Sequence, residues 1–198
     1  MIGLVFLAVF VVYLLVSLWL ILVAVRSARA RGIAGWKFGA PVALVMYLLV
    51  FWDHVPTMLL HDYECRNKAG LVVYKTAEQW KLENPSESML VKPFVGYANF
   101  RRSDGTHGYW LNDRFTYEST PHPLSFLPVY RVVDAIVDSR TKAVLLRRTS
   151  IESGYRSLGI IDDWRAFKFW VNGKSCNSDT ERFAALFYAY RDIGMARP

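Results

Sequence analysis

The stretch that decides the fold is the uncharged run IGLVFLAVFVVYLLVSLWLILVAV at residues 2–25. A helix of about 20 apolar residues crosses the hydrocarbon core of a bilayer, which is about 30 Å thick. We therefore predict that this run is a transmembrane helix. A cleavable secretory signal is the alternative, but no Lys or Arg precedes the run, and the run is longer than the apolar core of such a signal.

A second apolar run follows at residues 33–52. Lys37 is its only charged residue and lies near its start, where a long side chain reaches water. Trp36 and Trp52 flank the run at the depth where indole rings favour the lipid headgroups. We predict a transmembrane hairpin over residues 1–52, with helices at about 2–25 and 33–52 and a loop at 26–32.

The second run also carries small residues at regular spacing. Gly35, Gly39 and Ala43 recur every four residues, and this spacing allows another helix to approach closely. The first helix of the same chain is the simplest partner. A second copy or another membrane protein is the alternative.

Charge predicts the orientation of this hairpin. The short loop and its border hold Arg26, Arg29, Arg31 and Lys37, and the first acidic residue of the chain is Asp53. Short cationic loops stay in the cytoplasm. We expect a bacterial inner (cytoplasmic) membrane protein with its N-terminus and its C-terminal domain in the periplasm.

Composition limits the classes of protein to which the chain can belong. Its 198 residues are 53% hydrophobic, and the net charge is +7. These values exclude a disordered tail and a large multidomain enzyme. Four of the 24 Lys and Arg residues lie before Asp53, so the remaining 20 face all 17 acidic residues. The region from Asp53 onwards therefore has a net charge of only +3 and no basic stripe, so we predict no nucleic-acid partner.

The region after residue 52 has the patterns of an α+β fold. We predict a juxtamembrane helix or linker at 53–69 and a strand-rich periplasmic domain at 70–198 with a helix near each end. A capping box at Thr76-Ala77-Glu78-Gln79 opens the first of these helices, which Pro85 ends. The last helix ends near Asp192.

Strands are predicted from alternating apolar residues between turn signals. They cover residues 71–74, a hairpin of 97–102 with 108–117, a hairpin of 129–137 with 142–149, and a strand at 166–171. Pro121-His122-Pro123 is predicted as part of a loop between the hairpins. Asn172-Gly173 is a strong turn dipeptide and is predicted to close the last strand.

The chain contains two cysteines, Cys65 and Cys176. Both lie on the oxidising side of the predicted topology, where thiols are usually paired. We predict a structural disulfide between them, with two unpaired buried thiols as the alternative. A redox-active pair is not expected without C-x-x-C spacing.

The segment after the second apolar run holds several metal-ligand residue types. In a helix, His54, Met58, His61 and Cys65 share one face, and such residues bind soft metals and haem iron. A single stripe cannot surround an ion, so we predict an interfacial helix, with Asp53 and His54 at the membrane boundary. No metal and no cofactor is expected, and His54, Met58 and His61 are the metal candidates in the alternative.

Motifs of the common enzyme classes are absent from the sequence. There is no G-x-S-x-G, no P-loop, no G-x-G-x-x-G and no H-E-x-x-H. We expect no catalytic residues and no enzymatic activity.

Two segments carry a resemblance to other proteins. FWDHVPT at 51–57, with Cys65 after it, and VYKTAEQW at 73–80 are similar to small uncharacterised two-helix inner-membrane proteins of Gram-negative bacteria. The resemblance covers about 30 residues. It implies an envelope location and carries no activity.

These observations favour a non-enzymatic protein whose periplasmic domain binds partners. Two helices are few for a transport path and one more than an anchor needs. We expect an accessory or assembly subunit of an envelope complex, in contact with membrane lipids and with other membrane or periplasmic proteins or a second copy. The alternatives are an immunity or exclusion protein against a toxin or phage, and a haem- or metal-handling membrane protein.

Overall fold

The computed structural model describes residues 2–93, 98–155, 164–173, 175–176 and 179–195. The helices in this part of the chain are α1 (Ile2–Ala30), α2 (Trp36–Phe51), α3 (His54–Lys68), α4 (Ala77–Glu83), α5 (Pro85–Ser88) and α6 (Thr180–Arg191). The strands are β1 (Gly70–Val73), β2 (Asn99–Arg101), β3 (His107–Trp110), β4 (Phe115–Pro123), β5 (Val129–Asp138) and β6 (Val144–Ser153). Contacts divide the chain into two units, the first formed by Met1–Met58 with Gly154–Asn172 and the second by Leu59–Ser153 with Gly173–Pro198.

Helix α1 is, within the described residues, the one helix that is by itself long and apolar enough to cross a membrane. Helix α2 has 16 residues, which corresponds to about 24 Å and is shorter than the hydrocarbon core. It reaches the required length only when α3 is added across a bend of 63°. One membrane-spanning helix is therefore supported, and the second stays a prediction.

The two N-terminal helices pack on each other as an antiparallel pair. Val25 of α1 lies against Gly39 of α2 near the connecting turn, and Phe10 lies 6.3 Å from Phe51, ring centre to ring centre, at the other end. Between them, the Tyr13 hydroxyl donates a hydrogen bond to the Met46 carbonyl. Between Leu4 and Val23, the exposed side chains of α1 are apolar, as in a lipid-facing helix.

The predicted strand at 166–171 is wrong. Two 3-10 turns, Trp164–Phe167 and Phe169–Val171, stand in its place, and Asn172-Gly173 closes no hairpin. The aromatic residues of these turns pack on the N-terminal helices: Phe167 stacks on Phe6 at 4.9 Å, and Trp170 meets Phe51 edge to face at 4.8 Å. The segment predicted within the domain at 70–198 thus shares a unit with α1 and α2.

The second unit is built on one antiparallel sheet in the order β1-β6-β5-β4-β3-β2. Strands β2 to β6 form a meander in which each strand pairs with the next, and β1 adds to β6 at the outer edge. An antiparallel meander needs only short connections between neighbouring strands. The predicted hairpin at 129–149 is confirmed as β5 and β6.

Apolar residues line both faces of this sheet. On one face, α4 and α6 cover Phe115, Ile136 and Leu146, and Trp80 and Tyr190 both pack edge to face on the Phe115 ring. Side chains alternate along a strand, so Ile151 of β6 points to the opposite face. There it forms a second cluster with residues of α3 and of the chain before α6; its other members are Leu60, Cys65, Ala69, Leu124, Leu127, Val129 and Cys176.

The predicted strand at 108–117 is interrupted, which is a correction. Buried Asn112 accepts hydrogen bonds from the backbone N–H groups of Arg114 and Phe115, and its side-chain amide donates to the Tyr190 carbonyl of α6. These hydrogen bonds hold the backbone in a tight turn where the strand was predicted to continue, so β3 ends at Trp110. Strand β2 lies within the predicted 97–102, of which position 97 is outside the described residues.

Pro121-His122-Pro123 is the end of β4 and not a loop, which is a second correction. Strand β3 pairs with β4 only as far as Ser119, whereas β5 pairs with β4 along the whole length of β4. The prolines therefore lie where β4 is locally an edge strand, and a missing N–H on the open side breaks no ladder.

Candidate functional site

Three side chains with metal-ligand or redox chemistry meet in the second unit. They are His61 and Cys65 of α3 and Cys176, which precedes α6. The two sulfur atoms lie at disulfide distance, as the sequence predicted, with 5.8 Å between the Cα atoms. The imidazole Nε2 of His61 lies 3.6 Å from Cys65 Sγ and 3.7 Å from Cys176 Sγ.

The local sequence explains how these groups come together. His61 and Cys65 are one helical turn apart and share a face of α3. Glu64 accepts a 2.7 Å hydrogen bond from Arg131, which ties this part of α3 to β5. Cys176 is held by its backbone N–H, which donates to the carbonyl of Ile151 in β6.

Gly173 leaves the space that the imidazole occupies. A Cβ atom at this position would lie 3.4 Å from His61 Cε1 and 2.5 Å from Ser153 Oγ. Ser153 Oγ accepts a hydrogen bond from the Gly173 N–H, which fixes this backbone beside the ring. His61 is only 9% exposed, and the sulfur atoms are its polar contacts within the described chain.

The other predicted metal candidates do not join this cluster. His54 Nδ1 is 3.0 Å from the hydroxyl of Tyr47, a contact within the first unit. Met58 is half-buried in the second turn of α3 and belongs to the first unit. The predicted set of His54, Met58 and His61 is therefore not the set that the structure groups, which is His61 with the two cysteines.

A buried ion pair lies in the first unit. Asp53, 1% exposed, accepts a 2.6 Å hydrogen bond from Lys168 Nζ and a 3.0 Å hydrogen bond from Trp170 Nε1. Lys168 Nζ also lies 5.8 Å from the ring centre of Trp52. Asp53 was predicted at the membrane boundary, but its partners were not, because they follow more than 100 residues later in a segment that was predicted as a strand.

A cavity of about 300 Å³ lies beside this ion pair. Aromatic and aliphatic side chains line most of it, and Lys168 supplies its charge. Its lining residues are Phe6, Val9, Phe10, Tyr13, Leu49, Val50, Trp52, Lys168 and Trp170.

The predicted packing stripe faces the first helix of the same chain at two positions. A Cβ atom at Gly35 would lie 2.8 Å from Val25 Cγ1, and one at Gly39 would lie 2.7 Å from Val25 Cγ2. Any larger residue would push α1 and α2 apart at these points. Ala43 is half-buried in the middle of α2, and Trp36 is exposed at its start.

A buried polar network crosses the sheet under α6. Asp134 accepts hydrogen bonds from the hydroxyl of Tyr117, at 2.7 Å, and from Arg148 Nε, at 3.0 Å. Burial and the neighbouring Asp134 raise the pKa of the Tyr117 hydroxyl, which therefore stays protonated as a donor. Arg148 in turn lies 4.3 Å from the ring centre of Phe183. The contact between Arg148 and Phe183 joins this network to α6.

The remaining histidines, His107 in β3 and His122 in β4, are exposed. Within the described residues, no histidine hydrogen-bonds a carboxylate or a hydroxyl nucleophile of Ser or Thr. Comparisons with family models, with curated proteins and with solved structures find no match to this chain.

Proposed function

We propose that this chain is a non-enzymatic subunit that binds other proteins at a membrane. In this proposal α1 and α2 lie in a bacterial inner membrane, and the second unit, which contains the sheet and is called the sheet unit below, works in the periplasm. The exposed apolar surface of α1 supports anchoring, and the cationic loop between the helices supports the orientation.

The observation that carries the proposal is a short segment of the sheet unit with three large, exposed apolar side chains. The side chains of Leu82, Met89 and Leu90 are 82%, 85% and 71% exposed, and all three residues lie within one segment of nine residues. We call this the α4–α5 surface. Large apolar side chains that are exposed close together in sequence favour a contact site for a protein or a membrane, because leaving them in water costs free energy.

The test is recovery of companions from the full chain. The tagged protein is extracted in mild detergent, and co-purifying chains are quantified by mass spectrometry. We expect a defined partner in stoichiometric amount. A triple variant, Leu82→Ser with Met89→Ser and Leu90→Ser, is expected to lose most of that partner, whereas Lys81→Ser on the same helix keeps it.

Other results would contradict the proposal. A lone monomer, or a homo-oligomer without companions, excludes a subunit of a larger complex. A partner retained by the triple variant excludes the α4–α5 surface as its docking site.

A further inference from the structure

We propose that His61, Cys65 and Cys176 form a zinc site when the disulfide between the cysteines is reduced. The inference concerns only this cluster in the sheet unit, and the redox conditions around that unit decide whether the bridge or the ion is present. A buried imidazole normally hydrogen-bonds an oxygen or a nitrogen, whereas the described polar contacts of this ring are two sulfur atoms.

The distances fit tetrahedral zinc. With Zn–N bonds of about 2.05 Å and Zn–S bonds of about 2.3 Å, a nitrogen and a sulfur on one zinc ion are about 3.6 Å apart. Nε2 of His61 already lies 3.6 Å from one sulfur and 3.7 Å from the other. Nδ1 of His61 lies equally close to Cys65 Sγ, at 3.6 Å, so the ring must turn to direct one nitrogen at the ion. The two sulfur atoms must also separate, and reduction breaks the bond that holds them together.

The surroundings also favour zinc. The apolar cluster of Leu60, Leu127 and Ile151 packs around the cysteines, and a low-dielectric wall strengthens bonds between thiolates and a cation. Two thiolates and one imidazole are a ligand set that zinc accepts, with a fourth position left for water. The partial exposure of both cysteines gives the ion and the water a path.

A dithiol reductant passes two electrons to the disulfide, giving two cysteine thiols and an oxidised dithiol. Zinc binding then releases two protons, because each thiol becomes a thiolate ligand. A disulfide oxidant reverses the step: it takes two electrons from the thiolates, the Cys65–Cys176 bond forms, and the zinc ion leaves. The cluster thus holds either the bridge or the ion.

The test uses the full chain in detergent, fully reduced with a phosphine, and Zn²⁺ as the probe. After desalting, we expect one zinc ion per chain in the reduced protein and none in the oxidised protein. Replacement of zinc by Co²⁺ is expected to give a thiolate-to-cobalt charge-transfer band. X-ray absorption of the zinc-loaded protein is expected to show two sulfur ligands and one imidazole.

His61→Ala is expected to weaken zinc binding by more than about tenfold, the smallest effect of losing even an outer-shell partner. His107→Ala removes an exposed histidine of β3 and is expected to bind zinc as the parent chain does. A reduced parent chain without zinc would overturn the proposal. So would a zinc spectrum without an imidazole ligand, a measurement that does not depend on the folding of any variant.

Discussion

Asp53 illustrates how much one buried charge matters. Its carboxylate faces Lys168 Nζ at 2.6 Å with both side chains almost fully shielded from solvent. A buried charge that loses its opposite charge costs about 3 kcal/mol or more. We therefore predict that Asp53→Asn lowers the free energy of unfolding by about that amount, measured by denaturant unfolding of the full chain in detergent.

A matched control separates burial from charge. Asp62→Asn breaks the exposed ion pair with Arg66, one turn along α3, and is expected to change stability by less than about 0.5 kcal/mol. Asp53→Leu combined with Lys168→Met removes both charges and is expected to recover most of the loss. An effect of Asp53→Asn equal to that of Asp62→Asn would show that the buried pair contributes little.

We predict that the carboxylate of Asp138 stabilises the fold near neutral pH and that acid removes this stabilisation. Burial raises the pKa of this carboxyl, but hydrogen bonds from Arg114 and from the N–H groups of Arg140 and Thr141 outweigh burial, and the pKa is lowered. The stabilisation is present above the unfolded pKa of about 4 and is lost as the pH falls through the folded pKa.

The measurement compares the parent chain with Asp138→Asn by denaturant unfolding across the acid range. The parent is expected to be the more stable near neutral pH, and the difference is expected to shrink below about pH 4, where the carboxylate takes up a proton. A difference that stays constant with pH would assign the effect of the substitution to packing.

At the level of single residues, the sequence predicts pairs that have no competitors. Cys65 and Cys176 are the only cysteines, so an oxidising location leaves one partner for each. Lys168 is one of 24 cations, and nothing in its neighbourhood indicates that it reaches Asp53. The spacing of His61 and Cys65 predicts that both share one face of α3, whereas the approach of Cys176 to His61 from 115 residues later was not predicted.

At the level of elements, the capping box of α4 is predicted from the sequence and confirmed. The Gln79 N–H donates to Thr76 Oγ1, and the Thr76 N–H donates to Gln79 Oε1 at 2.9 Å. Thr76→Ala removes the first bond and is expected to cost about 1 kcal/mol of stability. Thr76→Ser keeps the hydroxyl and is expected to stay near the parent value in the same unfolding assay.

The buried Trp80 of α4 gives a local measurement of the same cap. Fraying of the first turn is expected to loosen Trp80 from the Phe115 ring, so its fluorescence reports on the helix start. Equal stabilities of Thr76→Ala and Thr76→Ser would show that the cap adds nothing to α4.

Elements governed by local chemistry were predictable, and those governed by distant contacts were not. The capping box and the β5–β6 hairpin follow from residues that are neighbours in sequence. The 3-10 turns at 164–171 carry a strand-like pattern, but their aromatic residues pack on α1 and α2, which no local rule shows. Pro121 and Pro123 are typical of a loop. They fit into β4 because β3 pairs with β4 only as far as Ser119, and this end point cannot be read from the local sequence.

At the level of the whole molecule, the length of α2 makes the orientation testable. Its 16 residues correspond to about 24 Å, against a hydrocarbon core of about 30 Å. If α2 crosses the membrane, with the first turns of α3 completing the span, the C-terminus lies outside. If α2 does not cross, the C-terminus stays on the same side as the cationic loop.

Reporter fusions to the C-terminus distinguish these arrangements. We expect a phosphatase that works only outside the cytoplasm to be active and a fluorescent protein that matures only in the cytoplasm to be dark. Replacing the four loop cations by Gln is expected to lower phosphatase activity several-fold, because the charges hold the loop inside. The matched control replaces four exposed cations of the sheet unit by Gln and is expected to change nothing; these are Lys81, Arg101, Arg147 and Arg182. A bright cytoplasmic reporter on the parent chain would place the sheet unit inside the cell, where reducing conditions favour zinc over the disulfide at His61, Cys65 and Cys176.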